Sequence, residues 1–122
     1  MKEDSIIAKK SFDFALSIIN LYSDLKKQNE FIISKQLLRA GTSIGANVVE
    51  ASAAQSARDF ISKMFIASKE ARETKYWLRL LQSSNLVNID YSFYLTEVDS
   101  VINILTAIIK TSQSRQGKIH NP

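Results

Sequence analysis

Between Ser5 and Thr111 the chain contains two glycines, Gly41 and Gly45, and no proline. No other feature limits its folding choices as much. The whole sequence holds 3 Gly and 1 Pro, and the rest fall near the end, at Gly117 and Pro122. A backbone with so few breakers can run long helices almost uninterrupted. A β-sandwich of similar size would need many more turn residues.

Apolar residues then fall at alternating steps of four and three. Helix one is expected over about residues 5–27, with Phe14, Ile18, Leu21 and Leu25 on one face. Helix two spans about 31–52, through Leu37, Gly41, Ile44, Val48 and Ala51. Its two glycines cost roughly 1 kcal/mol each relative to alanine, which points to a neighbouring backbone passing close by. Helix three covers about 56–84, from a Ser56 N-cap with Asp59 behind it, through Phe60, Met64, Ala67, Ala71, Thr74, Leu78 and Leu81. Helix four covers about 90–112, opening at Asp90 and carrying Tyr94, Val98, Val101, Leu105 and Ile108. Residues 113–122 turn polar and read as a frayed basic tail. Short links force antiparallel neighbours, and the near-3.5 period calls for left-handed crossing. The expected fold is an all-α, up-down-up-down, left-handed four-helix bundle, with residues 1–122 as one domain.

The chain has 122 residues and no cysteine, so disulfides, thiolate metal sites and cysteine nucleophiles are excluded. That suits a reducing compartment. Met1 is followed by Lys2, Glu3 and Asp4 rather than a signal-type apolar run, and apolar runs are broken by charge before membrane-spanning length. The expectation is a cytoplasmic protein with no membrane partner. Net charge is +4, which favours acidic or nucleic-acid partners.

Bond-making chemistry finds little to work with. The one histidine, His120, lies outside every expected helix. A di-metal bundle needs inward Glu-x-x-His pairs, and a Ser–His–Asp arrangement needs a histidine near a core element. Glu70 and Glu73 share a helix, but their run alternates with Lys69, Arg72 and Lys75, which suits ion pairing at the surface. No metal, no cofactor and no enzymatic activity are expected.

A polar stripe on helix two stands apart. Gln36, Arg39, Ser43, Asn47 and Glu50 recur at steps of three and four beside the apolar face. From Phe31 to Ala54 the charged residues are Lys35, Arg39 and Glu50, fewer than open water usually favours. The helix is therefore expected to be covered by its own chain or by another subunit. Arg39 and Glu50 then need partners, with Lys69, Glu70 and Glu73 as candidates.

The run from Gln36 to Ala51, Gln-Leu-Leu-Arg-Ala-Gly-Thr-Ser-Ile-Gly-Ala-Asn-Val-Val-Glu-Ala, resembles the hallmark of the 23S rRNA-intervening sequence proteins. Lys69-Glu70-Ala71 and Glu73-Thr74-Lys75-Tyr76-Trp77-Leu78 agree, and the likeness extends from about Phe12 to Ile109. Ala51 stands where many members have glycine. The resemblance implies a four-helix bundle that assembles into a ring-like homo-oligomer, a pentamer. The chain is also similar to the accessory bundle proteins of diversity-generating retroelements, basic pentamers that engage nucleic acid and a reverse transcriptase.

Two functions fit. The first is a nucleic-acid-associated homo-oligomer that contacts RNA or DNA phosphates through Lys63, Arg72, Lys75 and Arg79 on helix three and Lys110, Arg115 and Lys118 beyond. Segment 56–84 holds six basic residues against three acids, whereas helix four carries Asp90, Glu97 and Asp99. Tyr76 and Trp77 could stack on bases, although packing suits them better. The second is a scaffold that binds another protein and no nucleic acid.

Overall fold

The computed structural model describes residues 2–120, with side chains described over 6–117. Four helices follow in order: α1 (Lys2–Lys27), α2 (Ile33–Ser52), α3 (Ala57–Ser84) and α4 (Ser92–His120). Among the described residues there is no strand.

Each boundary has a local chemical cause. α1 closes where Asn29 takes a left-handed φ of 65°. The Glu30 N–H then donates to Leu25 O at 2.9 Å and the Asn29 N–H to Lys26 O at 3.0 Å. This double closure satisfies carbonyls that the helix would otherwise leave open. Glu30 next caps α2: its carboxylate accepts from the backbone N–H of Ile33 at 2.9 Å and of Ser34 at 2.7 Å. Partial burial pushes the Glu30 carboxyl up, but hydrogen bonds from Ser34, Ile33 and Ile32 together hold it below its ordinary value. α2 accordingly begins at Ile33, two residues later than the sequence pattern suggests. Ser56 caps α3 as expected, accepting from the Asp59 N–H at 3.0 Å. Asn85, at φ 56°, ends it.

The Ser92 hydroxyl, and with it the Ser92 N–H at 3.0 Å, donates to the Asp90 carboxylate and holds its pKa below the ordinary value, and α4 starts at Ser92. The far end of α4 corrects an expectation: the helix continues through 113–120 and includes His120. The polar residues there are mostly good helix formers. Ser112 and Gln116 remain half-buried, so the last turns still lie against the bundle.

The links, residues 28–32, 53–56 and 85–91, are short, and neighbouring helices run antiparallel. Ser11 lies against Gly45 and Ile18 against Gly41. Arg39 meets Glu70 and Glu73, whereas Glu50 meets Lys63. Lys75 reaches Asp99 at 2.7 Å, and Lys10 of α1 closes the ring by reaching Glu97 of α4 at 3.0 Å. Among the described residues the backbones of diagonal helices stay apart. The seam residues Ile18, Leu21, Leu25, Leu37, Ile44, Leu78, Leu81, Val98 and Leu105 are completely buried.

The glycines admit close approach in two ways. A Cβ on Gly45 would lie 3.4 Å from Ser11 Oγ and 3.5 Å from its backbone oxygen. A Cβ on Gly41 would fall 2.9 Å from Ile18 Cγ2, so here the neighbour is a side chain rather than backbone.

α4 corrects a second expectation. Between Ser92 and Gly117 it is long and apolar enough to cross a membrane, with a mean hydropathy of 1.3. Counting unbroken apolar runs hid this, because polar but uncharged residues interrupt the charge-free stretch between Asp99 and Lys110. Val98, Val101, Ile102, Leu105, Ile108 and Ile109 supply much of that hydropathy, and all six are buried in the bundle core.

Candidate nucleic-acid interface

α3 presents three kinds of surface. Its inner face enters the core. Its flank toward α2 carries the acids: Arg39 Nη1 lies 3.3 Å from a Glu70 oxygen, and Arg39 Nη2 binds Glu73. Glu73 also accepts from Trp77 Nε1 at 3.1 Å. On this flank Lys63 lies 3.7 Å from Glu50.

The polar stripe of α2 therefore finds partners within one chain at Arg39, Ser43, Asn47 and Glu50 but, among the described residues, not at Gln36, and this side of the helix stays more open than its low charge suggests. Arg39 meets both candidate acids, whereas Glu50 pairs with Lys63 in place of the expected Lys69. Ser43 Oγ donates to Arg39 O at 2.6 Å, and Asn47 Nδ2 donates to Ser43 O at 2.9 Å. Gln36 and Glu50 are exposed.

The outward face of α3 is the unexpected one. Arg58, Ser62, Phe65, Lys69, Arg72, Tyr76, Arg79 and Ser83 fall at steps of four and three, and every one is exposed. From Arg58 to Arg79 this seam runs about 32 Å at about 1.5 Å per residue. It holds four cations, two aromatic rings and no carboxylate. Among the described residues, none of the four cations has an ion-pair partner. Phe65 and Tyr76 are 50% and 55% exposed.

The expected contact residues separate in this geometry. Arg72 and Arg79 lie on the seam. Lys63 and Lys75 turn to either side of it, where Glu50 and Asp99 neutralise them. Lys110 lies across from Arg72 on α4, lining a shared groove, and Arg115 is exposed farther along α4. The Lys118 side chain lies outside the described residues. Arg58 and Lys69 were not among the expected contacts. The signal that could have found them is a second heptad, read through charged and aromatic residues rather than aliphatic ones. Tyr76 and Trp77 also part company: Trp77 packs on the core, whereas Tyr76 stays outside, edge-on to it at 5.3 Å.

The groove between α3 and α4 is lined by Phe65, Ser68, Lys69, Arg72, Thr106, Ile109, Lys110 and Gln113 and encloses about 540 Å³. Its floor is mainly apolar and its rim cationic. Among the described residues no three His, Asp or Glu side chains gather as a metal site requires.

The family model for the 23S rRNA-intervening sequence protein matches residues 3–107. A crystal structure of a protein of unknown function from the S23 ribosomal protein family of Bacteroides thetaiotaomicron superposes with a TM-score of 0.85. It is 46% identical in sequence, over 88% of this chain and 98% of that one. No curated protein matches the chain. Neither match bears out the expected likeness to the accessory bundles of retroelements. With its helix-two hallmark, its four-helix architecture and a match over residues 3–107, the chain belongs to the 23S rRNA-intervening sequence protein family.

Proposed function

We propose that this chain is a non-catalytic, self-associating bundle that binds nucleic acid along the outward seam of α3. The observation that carries this reading is the arrangement of Arg58, Lys69, Arg72 and Arg79 on one face from which every acid of the helix is absent. Cations clear of carboxylates release counterions from a phosphate backbone, and interleaved aromatics add sequence-tolerant stacking.

Self-association is favoured by a separate surface. Phe12, Leu16 and Ile19 recur at steps of four and three on the outer side of α1, at 63%, 47% and 44% exposure. Val49 of α2, 65% exposed, lies one turn beyond the Gly45 that touches Ser11, so it opens on the same side. Exposed apolar patches of this kind mark interaction sites. In a ring of the sort the family resemblance implies, each subunit would repeat the α3 seam and raise binding by avidity.

The test is titration of labelled RNA and DNA by fluorescence anisotropy at two salt concentrations. If each seam cation displaces one counterion, single-strand affinity falls about 50-fold between about 50 and 200 mM salt. Arg72→Glu with Arg79→Glu should remove most of the binding and leave the helical signal intact. Absence of binding near physiological salt would overturn the reading in favour of a protein-binding scaffold.

A further inference from the structure

We propose that the groove between α3 and α4 seats a single unpaired nucleobase, so that the seam takes single-stranded or looped nucleic acid in preference to a duplex. This rests on the nucleic-acid reading above and adds the form of nucleic acid that the site selects.

Three observations converge on the groove. The first is its shape and lining. A space of about 540 Å³ opens beside the cationic seam, with the half-exposed Phe65 ring at its lip and buried Ile109 on its floor. That volume lies within the range of small-ligand clefts, and the apolar floor suits a planar ring better than a phosphate.

The second is Ser68. It lines the groove, is only 7% exposed, and its hydroxyl has no hydrogen-bond partner among the described residues. The other buried serine and threonine hydroxyls, those of Ser11, Ser34 and Thr74, donate to Ala8 O, Glu30 O and Glu70 O, and several less buried ones also turn back onto the preceding turn. Ser17 donates to Phe14 O, Thr42 to Leu38 O and Thr106 to Ile102 O. A buried hydroxyl without a partner is costly, so one facing a cleft is a site for a polar atom of a ligand. A base edge supplies donors and acceptors that an aliphatic occupant lacks.

The third is the placement of charge. Lys69 and Arg72 stand on the α3 rim and Lys110 on the α4 rim. A base held between them leaves its 5′ and 3′ phosphates near cations on opposite walls. In a duplex the base faces are stacked and the pairing edges are occupied, so entry would require unstacking first. A single strand or loop already offers both.

The experiment uses three probes of equal length and label: a 12-nucleotide single strand, the same strand in a duplex, and a 12-unit abasic strand carrying the backbone charge alone. The expected result is that the single strand binds at least about tenfold more tightly than the abasic strand, the size of one base–aromatic stack. Phe65→Ala should remove most of that difference and leave abasic binding unchanged, whereas Tyr76→Ala should preserve most of it. Equal, salt-sensitive binding of all three probes would overturn the groove assignment and leave the seam standing. Loss of base dependence in Tyr76→Ala but not in Phe65→Ala would also overturn it. Failure of every probe to bind would remove both readings. If Phe65→Ala loses its helical signal, Phe65→Leu serves instead: it keeps the volume, removes the ring face and should give the same result.

Discussion

Gly41 and Gly45 sit one turn apart on α2, both against α1, yet alanine should stabilise only at Gly45. Neither glycine has a positive φ, so alanine meets no backbone strain at either. Replacing a helix-interior glycine gains about 1 kcal/mol from backbone entropy alone. At Gly45 the new methyl would sit 3.4 Å from Ser11 Oγ, an ordinary contact, so the gain survives. At Gly41 it would sit 2.9, 3.0 and 3.3 Å from Cγ2, Cγ1 and Cβ of Ile18. Ile18 is fully buried and β-branched, so it has little rotamer freedom and the helices themselves must part. Overpacking of that kind costs about 1–3 kcal/mol. Gly45→Ala is therefore expected to stabilise by about 1 kcal/mol, raising the melting temperature by about 3–5 °C. Gly41→Ala should be neutral to about 2 kcal/mol destabilising once gain and cost are set together. Urea and thermal unfolding of both variants decide the matter. A double mutant with Ile18→Ala should show a favourable coupling of about 1 kcal/mol or more with Gly41→Ala, because the clashing Cγ atoms are gone. Equal stabilisation by both single substitutions would refute the close approach.

Three further outcomes follow from other parts of the bundle. Arg39→Ala should lower stability by about 1 kcal/mol, discounted for a half-exposed side chain, and leave the assembly mass unchanged by light scattering, since its partners Glu70 and Glu73 are in the same chain. Phe12→Asp combined with Leu16→Asp should reduce that mass toward a single subunit while circular dichroism stays helical. Glu30→Ala should cost about 1 kcal/mol at pH 7 through the lost cap. Because the folded-state Glu30 carboxyl is held below its ordinary value, its contribution is complete above the unfolded pKa of about 4.3 and is lost as pH falls through the lower folded value. The stability gap between Glu30→Ala and the parent chain should accordingly narrow below about pH 4.

Much of the fold could be read from the residues because long stretches without breakers leave few alternatives. The core faces of all four helices follow from aliphatic spacing, and Ser56 announced its helix start by type and position. Boundaries set by less conspicuous chemistry were harder to read. Glu30 looks like part of a polar link, and its capping role depends on Asn29 adopting a left-handed turn first. The end of α4 is obscured because its polarity reads as fraying, although Gln113, Arg115 and Gln116 are sound helix formers. At the candidate interface, composition revealed an excess of base on α3 but not which cations are neutralised. That depends on the helical angle at which Lys63 and Lys75 meet Glu50 and Asp99. The unpartnered Ser68 hydroxyl has no trace in sequence, since most helical serines look identical until their hydrogen bonds are known.

The inward disposal of carboxylates on α3 has a consequence for how such chains are compared. With Glu70 and Glu73 drawn toward Arg39, the solvent side of that rod carries cations and no carboxylate, whatever the net charge of the molecule. A relative could lose its overall basicity through substitutions on α4 and still offer the same electropositive track. Isoelectric point would sort such relatives wrongly; the identity of the eight positions from Arg58 to Ser83 that turn toward solvent would sort them correctly.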